Sequence, residues 1–184
     1  AVDNTWRIAE RCQPALDLDV PHFPAFDLPP GQRADHLLRE LTYQGAQRKY
    51  GKLSREACER LEHELAIINA LGYPDYFLVV WDIVNHARLR GIRYAGRGSA
   101  ADSMVAYCLG MTEVDAFGRG LLFERFMSME RGEKPDIDID FDARYRDQVA
   151  EYVYRKYGRE RVASVCTYNT FRARSAMRDV GKAL

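Results

Sequence analysis

PDIDIDF, residues 135–141, sets three aspartates in alternation with Ile137, Ile139 and Phe141 directly after a proline. A period of two is the mark of a strand, because successive side chains project to opposite faces. Asp136, Asp138 and Asp140 then share one face, and the three apolar residues hold the other in a core. Same-face neighbours stand roughly 6.5–7 Å apart along the backbone, so adjacent carboxylates can converge on a hard cation from a rigid support. Three carboxylates in a row repel one another unless a cation neutralises them. Magnesium suits such a row, since one or two carboxylates, waters and substrate phosphates satisfy it. For D-x-D alone, a charged edge strand that deters aggregation is an equally good account. A calcium loop is excluded, because the sixth position is Phe141 rather than glycine and the twelfth is Asp147 rather than glutamate.

Upstream, GRGSAADSMVAYCLG (96–110) runs from a glycine-rich turn into an apolar helix, after a short strand predicted over 92–95. Gly96 and Gly98 permit close backbone approach, Ser99 offers a hydroxyl, Arg97 adds charge, and the N–H groups opening a helix after Ser99 favour an anion. The loop is neither a Walker A motif nor G-x-G-x-x-G, and alone it reads more readily as a tight turn before a helix. Arg125 in FERF and Arg131 precede the acidic strand and can pair with phosphate, or with Glu124 or an aspartate. A glycine-serine loop for phosphates, followed by paired aspartates for two metals about 3.5–4 Å apart, is the layout of nucleotidyl transfer.

The rest of the chain supplies the frame. Residues 3–12 read as the end of a helix and 14–32, rich in proline, as a connector. Helices are predicted over 34–48, 54–71 with Ser54 as N-cap, 75–91 stopped by Gly91, and 143–157 with Asp142 as cap. Residues 128–134 read as a hairpin-like turn and 161–168 as a strand, and an amphipathic helix runs to the end. His86 and Trp81 read as packing residues of their helix.

Of the 184 residues 47% are apolar, enough for one sizeable core. Lys plus Arg equal Asp plus Glu at 27 each, so any polyanion site must be local. One such excess lies in 144–184, with ten basic residues against four acidic. Cys12, Cys58, Cys108 and Cys166 are too scattered for a zinc site or disulfide framework. No apolar run reaches membrane-spanning length, so a soluble, cytoplasmic protein with no membrane partner is expected. The missing initiator methionine and the open amphipathic pattern at the end suggest a piece of a longer chain.

GYPDYFLVVWDIV, GRGSAADSMVAYCLGMTEVD, LLFERFMSMERGEKPDIDIDF and YGRERVASVCTYNTFRARSAMRDVGKAL resemble, in order and spacing, the alpha-subunit family of bacterial DNA polymerase III, the C-family DNA polymerases. The resemblance is densest over 72–184. It implies an α/β (α+β) fold: a nucleotidyltransferase palm like that of DNA polymerase beta, with flanking helices. It divides the chain into the tail of a preceding PHP domain with connector (1–20), the palm (21–165) and the start of the thumb (166–184).

Carried over by residue, the resemblance makes Asp136 and Asp138 the catalytic metal ligands for two Mg²⁺, with Mn²⁺ as a substitute. Asp140 matches a third aspartate not usually assigned catalysis. Arg97, Gly98, Ser99 and Arg125 fall on the family's triphosphate contacts. The implied activity is template-directed DNA synthesis on primer-template DNA from dNTPs, with sliding clamp and replisome partners bound through other regions. The family's third catalytic aspartate falls after residue 184, so the segment alone is expected to be inactive. Asp102 in GRGSAADS and CTYNTF at 166–171, with YCLG and GKAL, are more similar to the error-prone branch. A nucleotidyltransferase for another substrate and a non-catalytic DNA-binding palm are the rival readings.

Overall fold

Ser54 ends an extended stretch and accepts a hydrogen bond from Ala57 N at 3.2 Å, opening a helix whose Leu61, Leu65 and Ile68 are all buried. That helix, α3 (Arg55–Ala70), follows α1 (Val2–Arg11) and α2 (Ala34–Tyr50) and precedes α4 (Pro74–Leu89), which carries Pro74 in its first turn. The computed structural model describes residues 2–12, 23, 25–130, 134–168 and 170–184. After α4 come β1 (Tyr94–Arg97), a 3₁₀ turn (Gly98–Asp102), α5 (Met104–Cys108) and a second 3₁₀ turn (Phe123–Arg125). β2 (Asp138–Phe141), α6 (Arg146–Tyr157) and α7 (Ala173–Ala183) complete the order.

The core lies where α2, α3 and α4 enclose α5. α5 is short, yet Met104, Val105 and Ala106 are wholly buried beside Phe77 and Leu78 of α4. Each large side chain buried there contributes about 1.5–3 kcal/mol. A smaller cluster of Ala87, Ile92 and Val149, with Ile83 and Phe141 against it, joins α4 to β2 and α6. No single helix is long and apolar enough to cross a membrane; α3 and α4 would pass together, but they bend by 113° and place their apolar residues in the core.

β1 and β2 pair antiparallel, with Tyr94 opposite Phe141, Ala95 opposite Asp140, Gly96 opposite Ile139 and Arg97 opposite Asp138. The expected mixture of helices with strands is therefore present, as a helical body bearing a two-stranded sheet.

Several sequence expectations shift. β1 begins two residues later than predicted, so Gly96 and Arg97 belong to the strand. PDIDIDF is strand only from Asp138, because its partner ends at Arg97 and turns away at Gly98. Residues 161–168 do not form a strand; they have no ladder partner among the described residues, and Val165 is almost fully exposed. α6 starts at Arg146 rather than 143, because Asp142 first accepts Arg144 N at 3.0 Å in a local turn. Residues 131–133 of the turn predicted at 128–134, Arg131 among them, and residues 14–22 and 24 of the connector predicted at 14–32 lie outside the described residues.

Candidate active site

The outer face of the two-stranded sheet carries Arg97 on β1 and Asp138 and Asp140 on β2, all exposed. The inner face carries Tyr94, Gly96, Ile139 and Phe141. This is the division that alternation predicts, and the pairing gives it a register. Arg97 faces Asp138 directly and forms an ion pair with its diagonal neighbour, Nε to Asp140 Oδ2 at 3.1 Å.

Two glycines make this geometry possible. A β-carbon on Gly96 would stand 2.2 Å from the carbonyl oxygen of Met111, so only glycine lets β1 lie so close to that segment. Gly98 has φ +70°, which turns the chain out of β1 at once. The turn leaves Gly98 and Ser99 exposed beside the acidic face, and buries Ala100 beneath them.

The far end of the loop is held from inside. Ser103 caps α5 by accepting from Ala106 N at 3.1 Å. Glu64 of α3, wholly buried, accepts from Ser103 Oγ at 2.8 Å and from Met104 N and Val105 N at 3.0 Å each. Arg60 donates to Glu64 at 2.6 Å and to the Leu121 carbonyl at 2.9 Å, so the buried carboxylate has both a countercharge and backbone donors. Arg125, after the buried Phe123, brings Nε to 3.8 Å from Asp102 Oδ2. It thus sits at the loop's C-terminal end, while Arg97 sits at its start.

Asp136 is exposed just before β2, and Pro135 ahead of it is buried. Tyr76 of α4 reaches the peptide between the two candidate ligands, its hydroxyl accepting from Ile137 N at 3.1 Å. Burial pushes the Tyr76 phenol above its ordinary pKa, the Ile137 N–H opposes that, and the charges of Asp136 and Asp138 raise it further. The phenol therefore stays protonated beside the carboxylates.

Asp136 and Asp138 are hard oxygen donors on an open surface. Among the described residues no three His, Cys, Asp or Glu side chains gather as a closed metal cage. The donor set fits a cation that keeps waters and takes further ligands from a substrate, which is the habit of Mg²⁺ rather than of structural zinc.

Behind the site, Asp82 ties α4 to α6. It accepts from Tyr152 Oη at 2.8 Å, Tyr157 Oη at 2.9 Å and Lys156 Nζ at 2.5 Å. His86 stacks on Tyr152 with ring centres 3.6 Å apart, and Trp81 packs against the main core, so both act in packing.

The sequence reading missed Glu64, Arg60, Tyr76 and Asp82. Glu64 had a signal, since it falls within the stripe Leu61, Leu65, Ile68 where a lone carboxylate must find buried partners. Tyr76 had none, being one more aromatic in YFLVV.

Residues 36–184 match the family model of the bacterial DNA polymerase III alpha NTPase domain. The chain belongs to that family. Among relatives of the DNA polymerase III alpha family, it is 66% identical over its whole length to an error-prone DNA polymerase of Symbiobacterium thermophilum, covering 17% of that protein. It is 50% identical over its whole length to an error-prone DNA polymerase of Methylococcus capsulatus, covering 18% of it. It is 47% identical to a DNA polymerase III subunit alpha of Halalkalibacterium halodurans, again over its whole length and 17% of that protein. The chain thus spans about a sixth of the length of these DNA polymerase III alpha relatives.

Proposed function

We propose that this segment is the palm of a C-family DNA polymerase, with the nucleotidyltransferase fold of DNA polymerase beta, and that its parent chain extends primers from dNTPs on a template. The observation that carries the reading is the juxtaposition of Asp138 with Arg97 and Gly98, acid beside a phosphate-binding turn, in a chain of this family. The division into PHP tail and connector (1–20), palm (21–165) and start of thumb (166–184) belongs to the same proposal, as does a cytoplasmic location.

Asp136 and Asp138 would hold two Mg²⁺, or Mn²⁺ in its place. Bound there, the cations supply acidity to the primer 3′-hydroxyl and charge compensation to the departing pyrophosphate. The chain's own residues bind and orient the triphosphate. Gly98 lets the backbone approach the phosphates, Ser99 offers its exposed hydroxyl, and the guanidinium groups of Arg97 and Arg125 approach from the two ends of the loop. The basic residues of α6 and beyond contact duplex phosphates, which position DNA without reading its sequence. Sliding clamp and replisome partners would bind elsewhere on the parent. The segment by itself is inactive in this reading, since a third carboxylate lies outside it.

The names of the relatives favour the error-prone branch. Asp102, at a position where the resemblance implies that replicative members often carry glycine, gives that preference a local correlate, because its carboxylate faces Arg125.

Asp138→Asn in the full-length parent tests the reading. Primer extension should be lost while primer-template affinity stays within about threefold, because phosphate contacts elsewhere carry DNA binding. Extension at the wild-type rate would overturn it, and activity on a nucleotide without primer-template would move the chain to another substrate.

A further inference from the structure

The ladder between β1 and β2 ends at the Arg97–Asp138 pair, so the peptide of Ile137 lies one step past the last rung. Its N–H finds no strand partner; it donates instead to the hydroxyl of Tyr76, 61 residues away on the first turn of α4. The ring that carries this hydroxyl is itself fixed. Phe23 packs edge-on against it at 5.0 Å, Phe77 lies at 6.3 Å, and the core surrounds the base of the helix. Tyr76 thus stands in for the next rung of the sheet, at the one peptide whose two neighbours are Asp136 and Asp138.

That location has a consequence for the pair. In extended backbone, residues two apart share a face only while the residue between them stays extended. Asp138 is held by the ladder, but Asp136 is not. If the Ile137 peptide were free to rotate, Asp136 would lose its alignment with Asp138, and two carboxylates that must converge would have to be ordered by the cation itself.

We infer that Tyr76 is a positioning residue for the carboxylate pair: by holding the Ile137 peptide it keeps Asp136 in line with Asp138, prepared for a divalent cation. The inference rests on the proposed nucleotidyl-transfer reading, and extends it to a residue that need touch neither substrate nor metal. A device of this kind raises cation affinity by ordering ligands in advance, as outer hydrogen-bond partners do in other metal sites.

The test uses the full-length polymerase as wild type, Tyr76→Phe and Asp138→Asn. Three quantities are read: amide hydrogen exchange of the peptide spanning Ile137, Mn²⁺ binding by electron paramagnetic resonance, and the Mg²⁺ concentration giving half-maximal primer extension. For Tyr76→Phe, exchange at Ile137 should accelerate by about five- to tenfold, the effect of one lost hydrogen bond. Mn²⁺ affinity should fall, and the Mg²⁺ half-saturation should rise, by about three- to tenfold, within the lower range of such outer-partner losses. Saturating Mg²⁺ should restore kcat, whereas a merely structural defect would lower kcat at every Mg²⁺ concentration.

Faster exchange with unchanged Mn²⁺ affinity and Mg²⁺ dependence would overturn the inference and leave the reading intact, provided Asp138→Asn is defective. Normal Mn²⁺ binding and extension by Asp138→Asn would overturn the reading itself. Should Tyr76→Phe fail to fold, Phe23→Leu decides instead. It removes the ring packed on Tyr76 but leaves the hydroxyl, so the Mg²⁺ half-saturation must move the same way; no movement counts against the inference.

Discussion

Gly98 lies beside the Asp138 carboxylate: a β-carbon added to it would stand 3.4 Å from Asp138 Oδ2. That distance is ordinary contact, so space alone does not demand glycine there. The backbone does, with φ +70°. Gly98→Ala should cost about 1–2 kcal/mol of local strain and push the turn outward rather than the carboxylate inward. In the full-length enzyme the KM for dNTP should rise several-fold, with DNA affinity unchanged. Steady-state incorporation and fluorescence anisotropy measure the two.

Asp138 and Asp140 share a face but have different partners, and substitution should separate them. Asp140 is engaged with Arg97 in a pair exposed on both sides, worth no more than about 1 kcal/mol. Asp140→Asn should lower single-nucleotide incorporation by the full-length chain less than tenfold, where Asp138→Asn should abolish it on the proposed reading. Rapid-quench primer extension distinguishes the two outcomes, and equal losses would mean that all three aspartates act as one set.

Glu64 and Glu62 lie on the same helix and each pairs with an arginine, yet they should differ sharply. Glu62, half exposed, meets Arg39 and Tyr43 at the surface. Its replacement by alanine should cost at most about 1 kcal/mol. Glu64 is wholly buried, and Glu64→Ala leaves Arg60 Nε without its countercharge and Ser103 Oγ and two backbone N–H groups of α5 without their acceptor. The expected loss is about 3–5 kcal/mol, read by urea unfolding of the full-length chain. Because α5 follows the glycine loop, the same variant should weaken dNTP binding.

The contact between α4 and α6 should weaken as pH falls. Burial chiefly, and Arg90 next, hold the His86 imidazole below its ordinary pKa of 6.5; Asp82 opposes this, and Arg155 and Lys156 add to it. The folded state therefore binds the proton less readily than the unfolded one. The neutral ring's contribution is complete above the ordinary imidazole value, and is lost as pH falls through that value and then through the lowered one. Urea unfolding from pH 8 to pH 5 should show wild type losing more stability than His86→Phe, which keeps a ring against Tyr152 without a titration.

The acidic strand, its face assignment and the glycine loop before α5 were legible because each is a local pattern: alternation, or punctuation before an apolar run. The ends of PDIDIDF were not, since the strand stops where its partner stops, and β1's length is set by the turn at Gly98. The strand predicted at 161–168 failed for a related reason. VASV has the composition of a strand, but no ladder partner lies beside it among the described residues. At the site, the sequence offered the charged residues that face outward. It did not disclose the groups that anchor the surrounding elements, Glu64, Tyr76 and Asp82, because the segments they anchor lie some 40 to 75 residues away.

Tyr76 and Asp82 are on the same helix. One grips the chain just before β2 and the other grips α6 just after it, so the acidic strand is strung between two posts on a single rod. Six residues of helix separate the posts by about 9 Å, and that interval acts as a gauge. Anchors before and after the strand on one rigid member disfavour a slip by one residue, the error that would turn every aspartate inward and every isoleucine out. The spacing of two polar side chains along α4 thereby works with the β1 ladder and the buried inner face to keep the carboxylates outward.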